Sequence, residues 1–315
     1  MKHRYYDFNT YLRNLFGCRV QKITIDAGLT CPNRDGTLAS GGCIYCNARG
    51  SGTGVFAEGL SITDQIVDGK QRLARRYKAK KFIAYFQSFS NTYGPIDKLK
   101  RMYEEALGVE GVVGLSIGTR PDCIGDDILD LLAAYAKDYL VWIEYGLQSA
   151  NEQTLKFINR GHDVSCFVRA VEATREKGIN ICAHVIMGLP GEEKTHMMQT
   201  ADFISNLGIE GIKIHLLYVV KGTPMERLHK QGSYRCLEQQ EYVELVCDFL
   251  ERIPQHMIVQ RLTGDPHPHE LLAPQWALKK AETLGMIRQT LEKRNTWQGK
   301  FFESSNFLDS NPSFP

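Results

Sequence analysis

No stretch of the 315 residues is apolar for long enough to cross a bilayer, which takes roughly 20 consecutive apolar residues. The opening MKHRYYDFNTYLRNLFG is charged and aromatic where a secretory signal would carry an apolar core. Charge of one sign is also missing, since 38 Lys and Arg face 36 Asp and Glu for a net +2. The bulk charge therefore neither demands nor excludes nucleic acid, and its distribution matters more. Without a signal, the nine cysteines read as thiols and metal ligands in a reducing compartment rather than as disulfides. These absences predict a soluble, cytoplasmic chain with no membrane partner. A hydrophobic fraction of 43% supports one large barrel or two domains.

The most informative gap is a fourth cysteine. Residues 30–54, TCPNRDGTLASGGCIYCNARGSGTG, hold Cys31, Cys43 and Cys46, with eleven residues between the first two and two between the second pair. The next cysteines along the chain are Cys18 and Cys123. Three thiolates at this spacing can hold three irons of a 4Fe–4S cluster, a cluster type that usually takes four cysteines, and they leave one iron open to a small molecule. Gly36, Gly41, Gly42, Gly50, Gly52 and Gly54 let the loop curl tightly. A structural zinc site is the competing reading, but zinc favours tetrahedral sets of four and no second Cys pair or suitably spaced histidine follows. Three small core cysteines meeting by chance is the other.

Hydrophobic periodicity gives alternating strands and helices. Strands are predicted at 21–26, 82–86, 112–117, 141–145, 179–187 and 212–217. Helices are predicted at 61–78 with a cap at Thr63, 95–107 opened by Pro95, 126–137, 151–159, 164–177 capped by Asp163, and 192–207. Such alternation argues for a parallel sheet, and six units are too few for a complete eight-unit barrel. The fold class expected is α/β, an incomplete six-unit (β/α) parallel barrel with a mainly helical C-terminal extension. Residues 1–20 form a lead, 21–235 the core and 236–315 the extension. Within the extension a helix at 237–252, a further strand at 257–262, a His/Pro-rich loop (TGDPHPHELLAP), a final helix at 276–295 and a loose tail are expected.

Ligands of parallel α/β sheets gather at the carboxyl ends of the strands. The polar residues at those ends are Gln87, Arg120, Asp122, Glu144, Gln148 and the Gly188–Glu192 turn.

With Tyr45 inside Cys43-Ile44-Tyr45-Cys46, the cysteine stretch resembles the radical S-adenosylmethionine (SAM) superfamily, in which the open iron takes the amino and carboxylate groups of SAM. The long first spacing is similar to the branch that contains the elongator catalytic subunit and the bacterial YtqA/YhcC group. KITIDAGLTCPNRDG, GTRPD, EYGLQS, INRGHD, HVIMGLPGE, GIKIHLLYVVKGTP, RLTGD, LLAPQW and WQG resemble segments of that group in order. The resemblance implies a radical SAM incomplete barrel with a 4Fe–4S cluster on Cys31, Cys43 and Cys46. It implies SAM contacts from Tyr45, Gln87, Met187, Gly188 and Leu189, with Glu144 and Gln148 on the ribose and Arg160 on the cofactor carboxylate. That last pairing follows the oxygen-independent coproporphyrinogen enzyme. The same relative carries a glutamate where this chain has Gly118 and an aspartate where it has His184. His184, His215 and Arg120 remain as candidate catalytic residues toward substrate.

The implied reaction is reductive cleavage of SAM to a 5′-deoxyadenosyl radical that abstracts a substrate hydrogen. An electron donor such as flavodoxin or ferredoxin is implied with it. Relation to the YtqA/YhcC group implies action on the wobble-uridine side chain of transfer RNA, in a carboxymethylaminomethyl-to-aminomethyl pathway. A radical enzyme on a small molecule and a non-catalytic iron–sulfur redox sensor are the alternatives. Methylthio transfer would need a second cysteine triplet, which is missing. For a tRNA partner, Lys70, Arg72, Arg75, Arg76, Lys78, Lys80 and Lys81 form a run without an acid. Lys279, Lys280, Arg288, Lys293, Arg294 and Lys300 surround Trp276 and Trp297. Both clusters at the barrel mouth would track phosphates; the alternative is two solvated helix faces.

Overall fold

The computed structural model describes residues 3–47, 50 and 59–302. Gly52 and Gly54 of the cysteine stretch and the tail from 303 onward lie outside the described residues.

The core elements follow one another as β1 (Val20–Ile25), α2 (Ile62–Tyr77), β2 (Lys81–Phe86), α3 (Ile96–Leu107), β3 (Val112–Thr119), α4 (Asp126–Ala136) and β4 (Leu140–Gln148). Helices α5 (Glu152–Phe157) and α6 (Val164–Glu176) lead to β5 (Asn180–Met187), and α7 (Lys194–Ser205) to β6 (Gly211–Leu216). Ahead of them stands α1 (Phe8–Phe16). After them come β7 (Val219–Val220), α8 (Pro224–Lys230), α9 (Gln239–Arg252), β8 (Ile258–Arg261), β9 (Leu271–Ala273) and α10 (Lys280–Lys293).

Seven strands pair in the order β1-β2-β3-β4-β5-β6-β8, every pair parallel. The sheet is curled, because Lys22 on one edge strand places its ammonium 2.7 Å from Gln260 on the other. Six strands were expected in the core. The seventh, β8, comes from the 257–262 stretch and pairs with β6, so the segment after 236 enters the barrel wall as well as packing on it. A small antiparallel ribbon, β7 with β9, and α8 interrupt the alternation between them.

Side chains alternate across each strand. On β4, Ile143, Tyr145 and Leu147 belong to the core shared with the helices, while Glu144, Gly146 and Gln148 line the interior cavity. Trp142, at the other end of β4, is fully buried and meets Phe8 and Tyr11 of α1 edge-on at 5.9 Å each. Helix α1 thus stoppers the amino-terminal end of the strands. It was unassigned in the N-terminal lead, although Asp7 caps it by accepting the Thr10 amide and Gly17 ends it at φ +67°.

Two local expectations change. The cap of α2 is Ser61, whose hydroxyl accepts the Asp64 amide at 3.0 Å in a reciprocal box, while Thr63 donates across to Glu105. The last helix is a 3-10 turn over Gln275–Leu278 followed by α10, with Trp276 packed on Tyr242.

Helix α2 returns from the carboxyl end of β1 to the amino end of β2, so the basic run 70–81 sits toward the stoppered end. Arg19 stacks over Tyr77 and Lys81 over Phe16 there. The run is therefore away from the mouth, and in the second cluster Lys280 pairs with Asp265 and Arg294 with Asp248. Among the described residues no helix is long and apolar enough to cross a membrane.

Candidate active site

The loop leaving β1 turns at Cys31, whose carbonyl accepts the amides of Arg34 and Asp35 at 2.8 and 3.2 Å. It turns again where the Cys46 amide donates to the Cys43 carbonyl at 2.9 Å. Gly42, at φ +80°, lies in the region that favours glycine, and a Cβ there would stand 2.9 Å from the Arg34 side chain. The INRG segment after α5 fixes the loop from the side. The Ile44 amide donates to the Ile158 carbonyl at 3.1 Å, Asn159 Nδ2 to the Gly42 carbonyl at 2.8 Å, and Asn33 Nδ2 to the Asn159 carbonyl at 2.6 Å.

Cys31, Cys43 and Cys46 line one cavity of about 140 Å³ with Tyr45, Gln87, Arg120, Glu144, Gln148, Arg160, His184 and His215. An adjoining cavity of about 160 Å³ shares Tyr45, Cys46, Gln148, His184 and His215 and adds Tyr218, His267 and Glu270. A larger cavity of about 950 Å³, against His3, Tyr5 and Trp297, shares none of these residues. The three thiols border a common space, where each can take one iron of a cluster. Cys43 is also prepared as a ligand. A hydrogen bond from Cys46 and then the charge of Arg160 hold its thiol well below the usual range, against burial, and the thiolate is the binding form.

Arg160 is buried, not the exposed helix-end arginine that was its alternative. Its Nε and Nη2 donate to the Gly146 carbonyl at 3.1 and 2.6 Å, and its Nη1 lies 3.6 Å from Cys43 Sγ. Only glycine at 146 permits this, since a Cβ would stand 2.6 Å from Nη2. Instead of a guanidinium free for a cofactor carboxylate, the structure shows one held on the Gly146 carbonyl beside the Cys43 sulfur. Arg120, expected among the catalytic candidates, grips Asp122 with two bonds of 2.8 and 2.6 Å and donates to the Arg160 carbonyl at 2.8 Å. Its guanidinium is thus engaged with Asp122 and the Arg160 backbone while it borders the cavity.

Glu144 also differs from the expectation of a ribose ligand. Its carboxylate is buried, with Lys22 Nζ at 2.5 Å and the Ser116 hydroxyl on Oε1, and His184 Nε2 at 2.7 Å and Lys213 Nζ on Oε2. Four donors leave no lone pair for two ribose hydroxyls. Lys22 and Lys213 were not among the predicted site residues. Their signal is a lysine at the inward position of an otherwise apolar strand, in QKITID and GIKIHL. His184 and His215 come together, ring centres 5.3 Å apart, and His215 Nε2 is buried without a partner. Desolvation first, then Lys213, pulls His184 down to about 4, so it is neutral at pH 7. Gln87 and Gln148 reach the cavity, Gln148 at φ +76° where β4 bulges. Met187, Gly188 and Leu189 do not line it. Met187 faces the helical layer, the Gly188 carbonyl accepts Tyr234 Oη at 2.8 Å, and Leu189 packs with Leu155 and Ile158.

The Lys213 ammonium is pulled down to about 7 from 10.5, first by desolvation and then by Lys22 and Arg261, against the opposing pull of Glu144. Between those two values the unfolded chain holds a proton that the folded chain has released. This residue's contribution to the unfolding free energy therefore rises with pH across the window, and its penalty is full below about 7. Urea unfolding at pH 7 and pH 9 should show a gain for the wild type that Lys213→Met lessens. An equal gain in both proteins would refute the shifted lysine.

A parallel half-barrel with three free thiols on the loop after its first strand defines an iron–sulfur α/β enzyme. The model of the radical SAM superfamily matches residues 33–204, and that of the radical SAM C-terminal domain matches residues 209–293. The chain belongs to the radical SAM superfamily, and membership brings the 4Fe–4S cluster and SAM as its cofactors. It is 46% identical over 300 residues to YtqA of Bacillus subtilis, covering 95% of this chain and 93% of that one. It is 37% identical over 270 residues to YhcC of Escherichia coli K12, covering 85% and 86%. Among solved structures, the archaeal Methanocaldococcus infernus Elp3 with an N-terminal deletion superimposes with a TM-score of 0.69 at 16% identity. That match covers 89% of this chain and 64% of the archaeal one, so this chain spans just under two thirds of it.

Proposed function

We propose that this radical SAM enzyme acts on the side chain of a modified wobble uridine in transfer RNA, removing a hydrogen from the carbon beside the side-chain nitrogen on the route from carboxymethylaminomethyl to aminomethyl. The observation that carries the reading is the cavity of about 160 Å³ that adjoins the cysteine cavity and is bordered by Gln148, His184, His215, Tyr218, His267 and Glu270. Such a space suits a short polar substituent entering end-first from the mouth. The relation to the YtqA/YhcC and elongator branch supports transfer RNA as the bearer.

Cys31, Cys43 and Cys46 would hold the cluster, and Tyr45, Gln87 and Gln148 border the space that SAM would share. When bound, the two groups supply one-electron cleavage and a hydrogen-abstracting radical. Arg160 and Asn33 keep the Cys43 sulfur oriented, with donors at 3.6 and 3.7 Å. His215 is held neutral, chiefly by burial and then by the charge of Arg261, and its unpartnered Nε2 is available to hydrogen-bond an entering substrate. The stopper of Trp142, Phe8 and Tyr11 excludes water from behind.

Comparing the transfer-RNA nucleosides of cells with and without this protein tests the reading. Deletion should accumulate the carboxymethylaminomethyl nucleoside and deplete the aminomethyl one. An unchanged wobble-uridine profile would favour the small-molecule enzyme.

A further inference from the structure

The charges facing the barrel interior do not balance. Lys22 and Lys213 share one carboxylate, Glu144. Arg261 stands directly across the β6–β8 pair from Lys213 and adds a third cation. It lines both the cavity of the three cysteines and the cleft of about 470 Å³ between the β1 and β8 edges. Among the described residues its guanidinium has no hydrogen-bond or ion-pair partner, in contrast to Arg120 and Arg160. Glu144, in the same cavity, is taken by its four donors, and Asp265 pairs with Lys280 at 2.8 Å and Glu270 with Asn47 at 2.9 Å. His215 and its unpartnered Nε2 face the same cavity. Lys22, the fixed charge of Arg261 and a partly protonated Lys213 on one carboxylate leave a positive excess that an entering anion relieves.

We infer that Arg261 anchors an anion subsite inside the barrel and that the substrate presents a terminal carboxylate to it. The planar fork of a guanidinium matches a carboxylate with two parallel bonds. A phosphodiester continues on both sides, whereas a terminal carboxylate presents two oxygens end-first to the fork. The assignment rests on the proposed function in one respect, that the substituent carried inward is an N-carboxymethyl amine.

Calorimetric titration of the anaerobically reconstituted full chain with SAM tests it. The probes are 5-carboxymethylaminomethyluridine and N-benzylglycine, each as the acid and as its methyl ester. The wild type should bind each acid roughly ten- to a hundredfold more tightly than its ester, the range for one charged hydrogen-bonded pair. Arg261→Gln should erase that ratio and Arg261→Lys should keep part of it. Iron content should be unchanged in both variants, since Arg261 holds no described partner whose loss would disturb the fold. Equal binding of acid and ester by the wild type, or a full ratio surviving in Arg261→Gln, overturns the subsite. Inorganic phosphate displacing the acids at lower concentration than acetate overturns the choice of carboxylate. Charge-dependent binding of N-benzylglycine without binding of the nucleoside keeps the subsite and removes the uridine reading.

Discussion

Anaerobic reconstitution should load about four irons and four sulfides per chain, and Cys31→Ala, Cys43→Ala or Cys46→Ala should remove nearly all of the visible absorbance. The effect is close to all-or-none because three ligands are already the minimum. Cys43 should be the most sensitive to its surroundings. Its thiolate is secured by Cys46 and Arg160, so Arg160→Ala should lower cluster occupancy even with all three cysteines in place. The control is positional, since Cys123, Cys166 and Cys247 do not line the cavity that Cys31, Cys43 and Cys46 share. Changing any of them should leave the absorbance intact. Stoichiometric zinc in anaerobically prepared protein, with no cluster after reconstitution, would overturn the assignment.

The second large effect is expected at Glu144. Glu144→Leu strands the Lys22 ammonium inside the barrel and takes from Lys213 the carboxylate that helps hold its proton, and breaking a buried pair in this way costs about 3–5 kcal/mol. Urea unfolding of the reconstituted chain measures it. Adding Lys213→Met to Glu144→Leu should restore part of the loss, since it removes a buried amine left without its partner. A loss under about 1 kcal/mol would mean that the carboxylate is not the hub of the interior. Burial by itself pushes this carboxyl up, but Lys213 and Lys22 outweigh it and hold it well below the ordinary range. Its stabilising contribution is thus present above the unfolded value near 4.5 and is lost only as pH falls through the lower folded value.

Much of the barrel wall was legible because its strands and helices carry strong, regular periodicities, and β4, α6 and β5 fall within a few residues of their predicted spans. The 257–262 stretch was read as a strand and β8 falls within it, but its place in the barrel wall was not legible, because it follows an excursion through β7 and α8. The cysteine loop was visible from spacing alone. What spacing could not give was which way each strand-end residue turns. Met187 and Glu144 lie on strands aimed at the site, yet one faces the helices and the other is spent on lysines from β1 and β6. Those lysines are 191 positions apart in the sequence, Lys22 to Lys213, and only the curl of the sheet brings them together.

The edge strand β8 is also where distant parts of the chain are stitched. Tyr6 accepts the Val259 amide at 2.8 Å, Gln298 accepts the Tyr6 amide at 2.8 Å, and the Gln298 amide donates to the Arg4 carbonyl at 2.9 Å. Gln298 also donates from its side chain to the carbonyls of Pro254 and Met257 at 2.6 and 2.7 Å. A ribosome adding about 5–20 residues per second completes Gln298 roughly 15–60 s after Tyr6. For most of that interval the cysteine loop has been made while Tyr6 still lacks this partner, so a cluster inserted on the nascent chain would meet an unsealed sheet.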